Sequence, residues 1–161
     1  MAGLYIHIPF CKSFCIYCDF HSCIHISPQT MDDMVEALCR EMTLRTDYLN
    51  NLPINTIYFG GGTPSLCSAD QIDRLLSHAK RLWDCSKLEE VTLEANPDDL
   101  TLDYLAALRK IGVNRLSIGI QSFDQEILSL LRRRHSSQAA IEAVQNARKA
   151  GFDNISIDLI Y

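Results

Sequence analysis

Three cysteines, Cys11, Cys15 and Cys18, stand in a C-x3-C-x2-C frame on the segment YIHIPFCKSFCIYCDF. Thiolate sulfur suits iron and zinc, and ligands four and three residues apart on one tight loop can converge on a single centre. A structural zinc site is usually closed by four protein ligands, whereas a 4Fe-4S cluster held by three thiolates leaves one iron open to a substrate or cofactor. The frame therefore carries two readings. One is an open iron-sulfur cluster; the other is a zinc site completed by Cys23 or His21.

Other residues invite chemistry more weakly. Gly60, Gly61 and Gly62 precede Thr63 and Pro64, and missing side chains let the backbone approach a ligand closely. No Gly-Lys-Ser/Thr follows, so this is no phosphate loop, and a tight turn before Pro64 is the plain alternative. Glu94, Gln121 and Asp158 each interrupt an apolar run near its C-terminal end. Ligand contacts concentrate at that rim in parallel β/α folds, although a solvated strand terminus explains a single such residue equally well. The run Arg132, Arg133 and Arg134 reads as a wet helix face or an anion clamp, and His7 as a hydrogen-bonded core histidine or a propionate contact. Cys39, Cys67 and Cys85 fall at no ligand spacing and read as small buried side chains.

The elements that must position these residues alternate along the chain. Short β-branched runs predict strands at 4–9, 55–60, 90–95, 115–121 and 154–160, and amphipathic segments predict helices at 31–49, 69–83, 102–111, 124–133 and 137–150. In the first helix Met31, Met34, Val35, Leu38, Met42 and Leu49 share one face, interrupted by Arg45; in the second, Ile72, Leu75, Leu76, Ala79 and Trp83 do so. Ser68 with Gln71 forms a capping box, Thr30 and Thr101 are expected N-caps, and Gly112 and Gly151 follow last helical turns. Right-handed crossovers of this length build a parallel sheet, and five in succession begin a curved or barrel-like one.

The chain of 161 residues, 47% hydrophobic and 22% charged, suits one globular domain. With a net charge of −5 and scattered basic residues, it has no footprint for nucleic acid or anionic membranes. MAGLYIHIPF lacks the basic and long apolar regions of a signal peptide, and no stretch reaches membrane-spanning length. The cytoplasm is the expected compartment, where the seven cysteines stay reduced.

YIHIPFCxxxCxYCDF, YFGGGTPS at 58–65, LEANP at 93–97 and RLSIGIQSF at 115–123 together resemble the radical S-adenosylmethionine (SAM) superfamily. More narrowly they resemble its coproporphyrinogen dehydrogenase-like branch, and within it the HemW-type heme chaperones. The resemblance runs from Tyr5 to Tyr161 with its motifs in the family order. It implies an α/β fold, a partial (β/α) barrel cut after about five β-α units, so that residues 1–161 form a radical SAM core domain and the N-terminal part of a longer protein. Cys11, Cys15 and Cys18 would hold the 4Fe-4S cluster, whose open iron is chelated by the methionine part of SAM; reductive cleavage of SAM gives a 5′-deoxyadenosyl radical. Gly61, Gly62 and Thr63 would hold the methionine end, Glu94 the ribose or methionine, Gln121 the ribose hydroxyls, Arg133 the carboxylate and Asp158 the ribose or a neighbouring polar group. Tyr5 and Tyr17 match positions near the methionine and the adenine. Arg132 stands where the family commonly has glycine, His135 keeps the family's offset, and Cys23 departs from the pattern.

Implied partners are heme or porphyrin, heme-acceptor proteins and a low-potential electron donor. Three functions follow. A heme chaperone is favoured by Cys-Asp-Phe at 18–20, because the oxygen-independent coproporphyrinogen dehydrogenase carries a further cysteine where Phe20 stands, and a longer N-terminal extension. That dehydrogenase is the second reading, and a zinc-binding interaction module the third.

Overall fold

In the computed structural model, which describes residues 2–24 and 27–161, four β/α units are followed by a fifth strand. Strands β1 (Ala2–Ile8), β2 (Ile54–Gly61), β3 (Glu90–Ala95), β4 (Arg115–Gln121) and β5 (Asn154–Leu159) form one sheet in sequential order, with every neighbouring pair parallel. Helices α1 (Pro28–Leu44), α2 (Ala69–Leu82), α3 (Leu102–Ile111), α4 (Gln125–Leu130) and α5 (Ser137–Lys149) lie in the connections. The expected α/β fold, a partial barrel of parallel strands, is the one observed.

The helix-facing side of the sheet carries Ile6, Ile8, Ile57, Phe59, Leu93, Leu116 and Ile118, all buried. Ile72, Leu75, Leu76 and Ala79 of α2 and Met31, Val35 and Met42 of α1 close over them. Truncating any one of these leucines would cost about 2–5 kcal/mol through lost burial and the cavity left behind. Residues of the other parity, including Tyr58, Thr92, Glu94, Ser117 and Asp158, stand on the opposite face. That face is polar, which is why the strands read as interrupted rather than continuous apolar runs.

The caps explain most of the boundaries. Ser68 and Gln71 make both halves of the capping box, the Thr101 side chain accepts from the Tyr104 N–H, and Gly112 ends α3 at φ +105°. Thr30, by contrast, is not an N-cap. Ser27 caps α1 and accepts from the Thr30 N–H, with Pro28 pre-set for the first helical position. The same helix stops at Leu44 rather than 49, and 46–49 form a separate 3-10 turn. There the Thr43 and Thr46 hydroxyls donate to the carbonyls of Cys39 and Thr43, competing with the helical ladder. The fourth helix, expected over 124–133, spans only Gln125–Leu130, because Arg132 turns left-handed at φ +57°.

Cys67 is buried beside Met31, its thiol pushed up to about 12 by burial; burial also raises the Cys39 and Cys85 thiols. Cys67 belongs to the core, and Cys39 and Cys85 pack against it half-buried. No helix among the described residues is long and apolar enough to cross a membrane.

Candidate cluster and cofactor site

The loop between β1 and α1 brings Cys11, Cys15 and Cys18 to the C-terminal rim of the sheet, where all three line one cavity of about 190 Å3. The loop is closed at its base by backbone alone. Cys23 donates its N–H to the Pro9 carbonyl (2.8 Å) and accepts from the Cys11 N–H (3.0 Å), beside a parallel bridge between Phe10 and Cys23. Neither the Cys23 side chain nor His21 lines the cavity. Among the described residues no three Cys, His, Asp or Glu side chains converge as ligands of one metal ion. A tetrahedral zinc site gathers four ligands on one ion, whereas a cubane takes its thiolates at separate irons.

Two donors reach the cysteine sulfurs. The Thr63 hydroxyl donates to Cys11 Sγ (3.4 Å), and an Nη of Arg133 donates to Cys15 Sγ (3.4 Å). Hydrogen bonds to sulfur stabilise thiolate charge, which an iron-ligating cysteine must carry. Glycine at 62 is required by the approach of this loop: a Cβ there would stand 2.7 Å from the Phe10 carbonyl oxygen and 3.0 Å from Cys11 Sγ. Strand β2 continues through Gly60 and Gly61, so of the triplet only Gly62 lies beyond it. Gly61 has φ +113°, and a side chain there would run into the His7 ring.

Glu94, Gln121 and Asp158, near the ends of β3, β4 and β5, all line the cavity, as do Gly61, Gly62, Thr63, Tyr17 and Arg133. Glu94 accepts from the Tyr58 hydroxyl (2.7 Å) and from the Gly61 N–H (3.2 Å), which fixes its carboxylate against the glycine segment. Arg133 crosses the cavity to Tyr17 Oη (3.3 Å), Asn96 Oδ1 (2.6 Å) and the Gly119 carbonyl, while its buried Nε has no hydrogen-bond partner among the described residues. Arg133 lines the cavity, and its guanidinium charge fits an anionic group such as a carboxylate. The Tyr17 phenol is pushed up to about 12, mainly by burial, so it serves as a neutral hydrogen-bonding group.

Tyr5 is the one nominated residue that the fold leaves outside. It is 56% exposed, stacks on Tyr58 and bonds His7 Nδ1 (2.9 Å), and with His7 it lines a separate depression at the β1 edge. Its strand position aims it at the polar face, where its ring lies against Tyr58 and reaches Gly60 without lining the cavity.

The structure adds residues the motifs did not nominate. Asn96 links three parts of the site, donating to Thr63 Oγ1 (3.4 Å) and, through its backbone N–H, to Ser65 Oγ (3.1 Å) while accepting from Arg133. Asp99 accepts from Lys12 (3.0 Å) and Ser65 (2.8 Å), tying the cluster loop to the turns after β2 and β3. Asn96 lies inside the LEANP motif, so a signal existed; the Asp99 contacts, 87 residues apart in the case of Lys12, had none.

The description "Radical SAM superfamily" matches residues 5–161. The chain is 41% identical to the heme chaperone HemW of Lactococcus lactis over 98% of its own length and 40% of that protein's, and 40% identical to HemW of Bacillus subtilis over 100% and 42%. Among solved structures, coproporphyrinogen III oxidase (HemN) from Escherichia coli, a radical SAM enzyme, superposes with a TM-score of 0.89 at 32% identity, covering 99% of this chain and 37% of that one. This chain thus spans well under half the length of the proteins it resembles. Superfamily members bind a 4Fe-4S cluster and SAM, and the cavity offers three thiols, sulfur-directed donors and an anion-seeking guanidinium in keeping with both. On its sequence over residues 5–161 and on its fold, the chain belongs to the radical SAM superfamily.

Proposed function

We propose that this chain is the cofactor-binding core of a heme chaperone of the HemW kind, holding a 4Fe-4S cluster on Cys11, Cys15 and Cys18 and SAM beside it. The observation that carries this reading is the meeting of the three thiols with Thr63, Glu94, Gln121, Arg133 and Asp158 around one cavity. When bound, the reduced cluster supplies the electron that can cleave a carbon–sulfur bond of SAM. The chain's own residues bind and orient. Gly61, Gly62 and Thr63 bring backbone close to the methionine end, Arg133 offers its guanidinium charge to the carboxylate, and Glu94, Gln121 and Asp158 take the ribose side. Tyr17, at the cavity mouth, takes the adenine side.

Heme is the proposed cargo, passed to an acceptor protein, with a low-potential donor reducing the cluster. The higher identity to heme chaperones than to the coproporphyrinogen oxidase favours delivery, as does Phe20, 68% exposed, where the dehydrogenase type carries a further cysteine. The strong structural likeness to the oxidase keeps oxidative decarboxylation of porphyrinogen propionates as the second reading.

The test is electron paramagnetic resonance of the anaerobically reconstituted, dithionite-reduced chain with and without SAM, followed by assays of heme transfer to an apo-acceptor and of coproporphyrinogen decarboxylation. A 4Fe-4S signal altered by SAM, with stoichiometric heme transfer, is expected. Decarboxylation without transfer would reverse the ranking, and bound zinc without iron or sulfide would reject both readings.

A further inference from the structure

The end of β4 has an unusual backbone. Its register with β5 shifts between Gly119 and Gln121, so Ile120 is the extra residue of a bulge. Gln121 follows at φ +67°, and the Ser122 N–H donates back to the Ile120 carbonyl (2.9 Å). A positive φ at the centre of an i→i+2 hydrogen bond is the rarer, strained form of γ-turn, and a non-glycine residue holds it only where its surroundings over-determine it.

Three contacts do so. The Gly119 carbonyl accepts from Arg133, the Ile120 carbonyl accepts from His135 Nε2 (3.0 Å), and the Gln121 carbonyl accepts from the Ile160 N–H (2.9 Å). The left-handed turn at Arg132 sends the chain back along the strand end, so residues 133 and 135 meet successive carbonyls of β4. The ring of His135 is buried, 3% exposed, and its Nδ1 has no partner among the described residues. A carbonyl can only accept, so Nε2 carries the proton, and a buried Nδ1 with no acceptor beside it among the described residues suits the neutral Nε2–H tautomer.

We infer that His135 is a positioning residue, whose neutral Nε2–H locks the Ile120 carbonyl and so holds the strained turn that presents the Gln121 carboxamide to the cavity. The part of this inference that concerns SAM rests on the functional reading above; the part that concerns the turn does not.

Two variants separate the hydrogen bond from the volume of the ring. His135→Leu fills the space without a donor, and His135→Gln keeps an N–H near the Nε2 position. Backbone amide exchange at Ser122, read by NMR or mass spectrometry on the cluster-free chain, should rise roughly tenfold in the leucine variant and stay within about threefold of wild type in the glutamine variant. On the cluster-loaded chain, SAM should bind roughly tenfold more weakly to the leucine variant at equal iron and sulfide content, with most of the affinity restored by glutamine. Unchanged Ser122 exchange in His135→Leu overturns the inference, and so does equal loss in both variants, which would assign His135 a space-filling role. Faster Ser122 exchange with unchanged SAM affinity overturns the link to the ligand. If the wild-type chain binds no SAM, the functional reading fails and the exchange comparison still decides the turn.

Discussion

Replacing Gly62 by alanine sets a methyl group where the cluster loop leaves β1. The new Cβ would lie 2.7 Å from the Phe10 carbonyl oxygen, against an ordinary carbon–oxygen contact of about 3.3–3.6 Å, so the loop must retreat by more than roughly half an ångström. It has little freedom to do so. The Gly62 N–H donates to the Ile8 carbonyl (2.8 Å), and Cys23 pins Pro9 and Cys11 from the other side. Overpacking of this kind costs about 1–3 kcal/mol, and the displaced atoms include Cys11 Sγ, 3.0 Å from the methyl position. Gly112→Ala is the control. Its φ of +105° makes alanine costly by about 1–2 kcal/mol, yet nothing lies within 4 Å of the new Cβ, and the position is remote from the cavity. Urea denaturation should show a comparable loss of stability in both variants. Iron and sulfide content after anaerobic reconstitution should fall only in Gly62→Ala. If Gly62→Ala unfolds at the wild-type midpoint and takes up a full cluster, the close approach is wrong. If Gly112→Ala loses cluster equally, the loss reports instability rather than site geometry.

Arg132 is exposed and left-handed at φ +57°, so Arg132→Gly should raise the free energy of unfolding by up to about 1 kcal/mol, the glycine's extra unfolded-state freedom offsetting part of the relief. A lower urea midpoint would contradict this. The His135 pKa lies below its ordinary 6.5, chiefly through burial and then the Arg133 charge; Arg134 adds to the shift, while the Ile120 bond and Asp98 oppose it. Between the folded and unfolded values the unfolded chain binds a proton that the folded chain does not, so stability falls as pH drops below about 6.5. Urea midpoints at pH 7.5 and 5.5 should therefore fall further in wild type than in His135→Gln, and equal falls would remove His135 as the cause.

The second helix shows how far pattern reaches. Its cap, its apolar stripe and its end all follow from contacts within a few residues, whereas the Trp83 indole finds its acceptor 37 residues away, at the Thr46 carbonyl (2.8 Å). The first helix misled at its start because two good caps, Ser27 and Thr30, stand three residues apart and proline at 28 decides between them, and at its end because the Thr43 and Thr46 hydroxyls compete for its last carbonyls. Tyr5 misled differently: its parity was legible, but the register with β2 sets it beside Tyr58, so its ring reaches Gly60 and His7 without lining the cavity. His135 was legible only as an offset. Its bond to Ile120 spans 15 residues and needs both the β4 bulge and the left-handed turn at Arg132.

Sequence alone determined the alternation of strands and helices, the parallel sheet and the tight spacing of three cysteines, because side-chain period, caps and residue spacing are local properties of the chain. Tertiary structure decided which residues share the cavity. Asn96 joining Thr63 to Arg133, Asp99 tethering Lys12, and His135 holding the turn at Gln121 are hydrogen bonds between separate loops, set by strand register and backbone twist. A hydrogen bond needs its partners within about 3 Å, and only the packed sheet brings such distant residues so close.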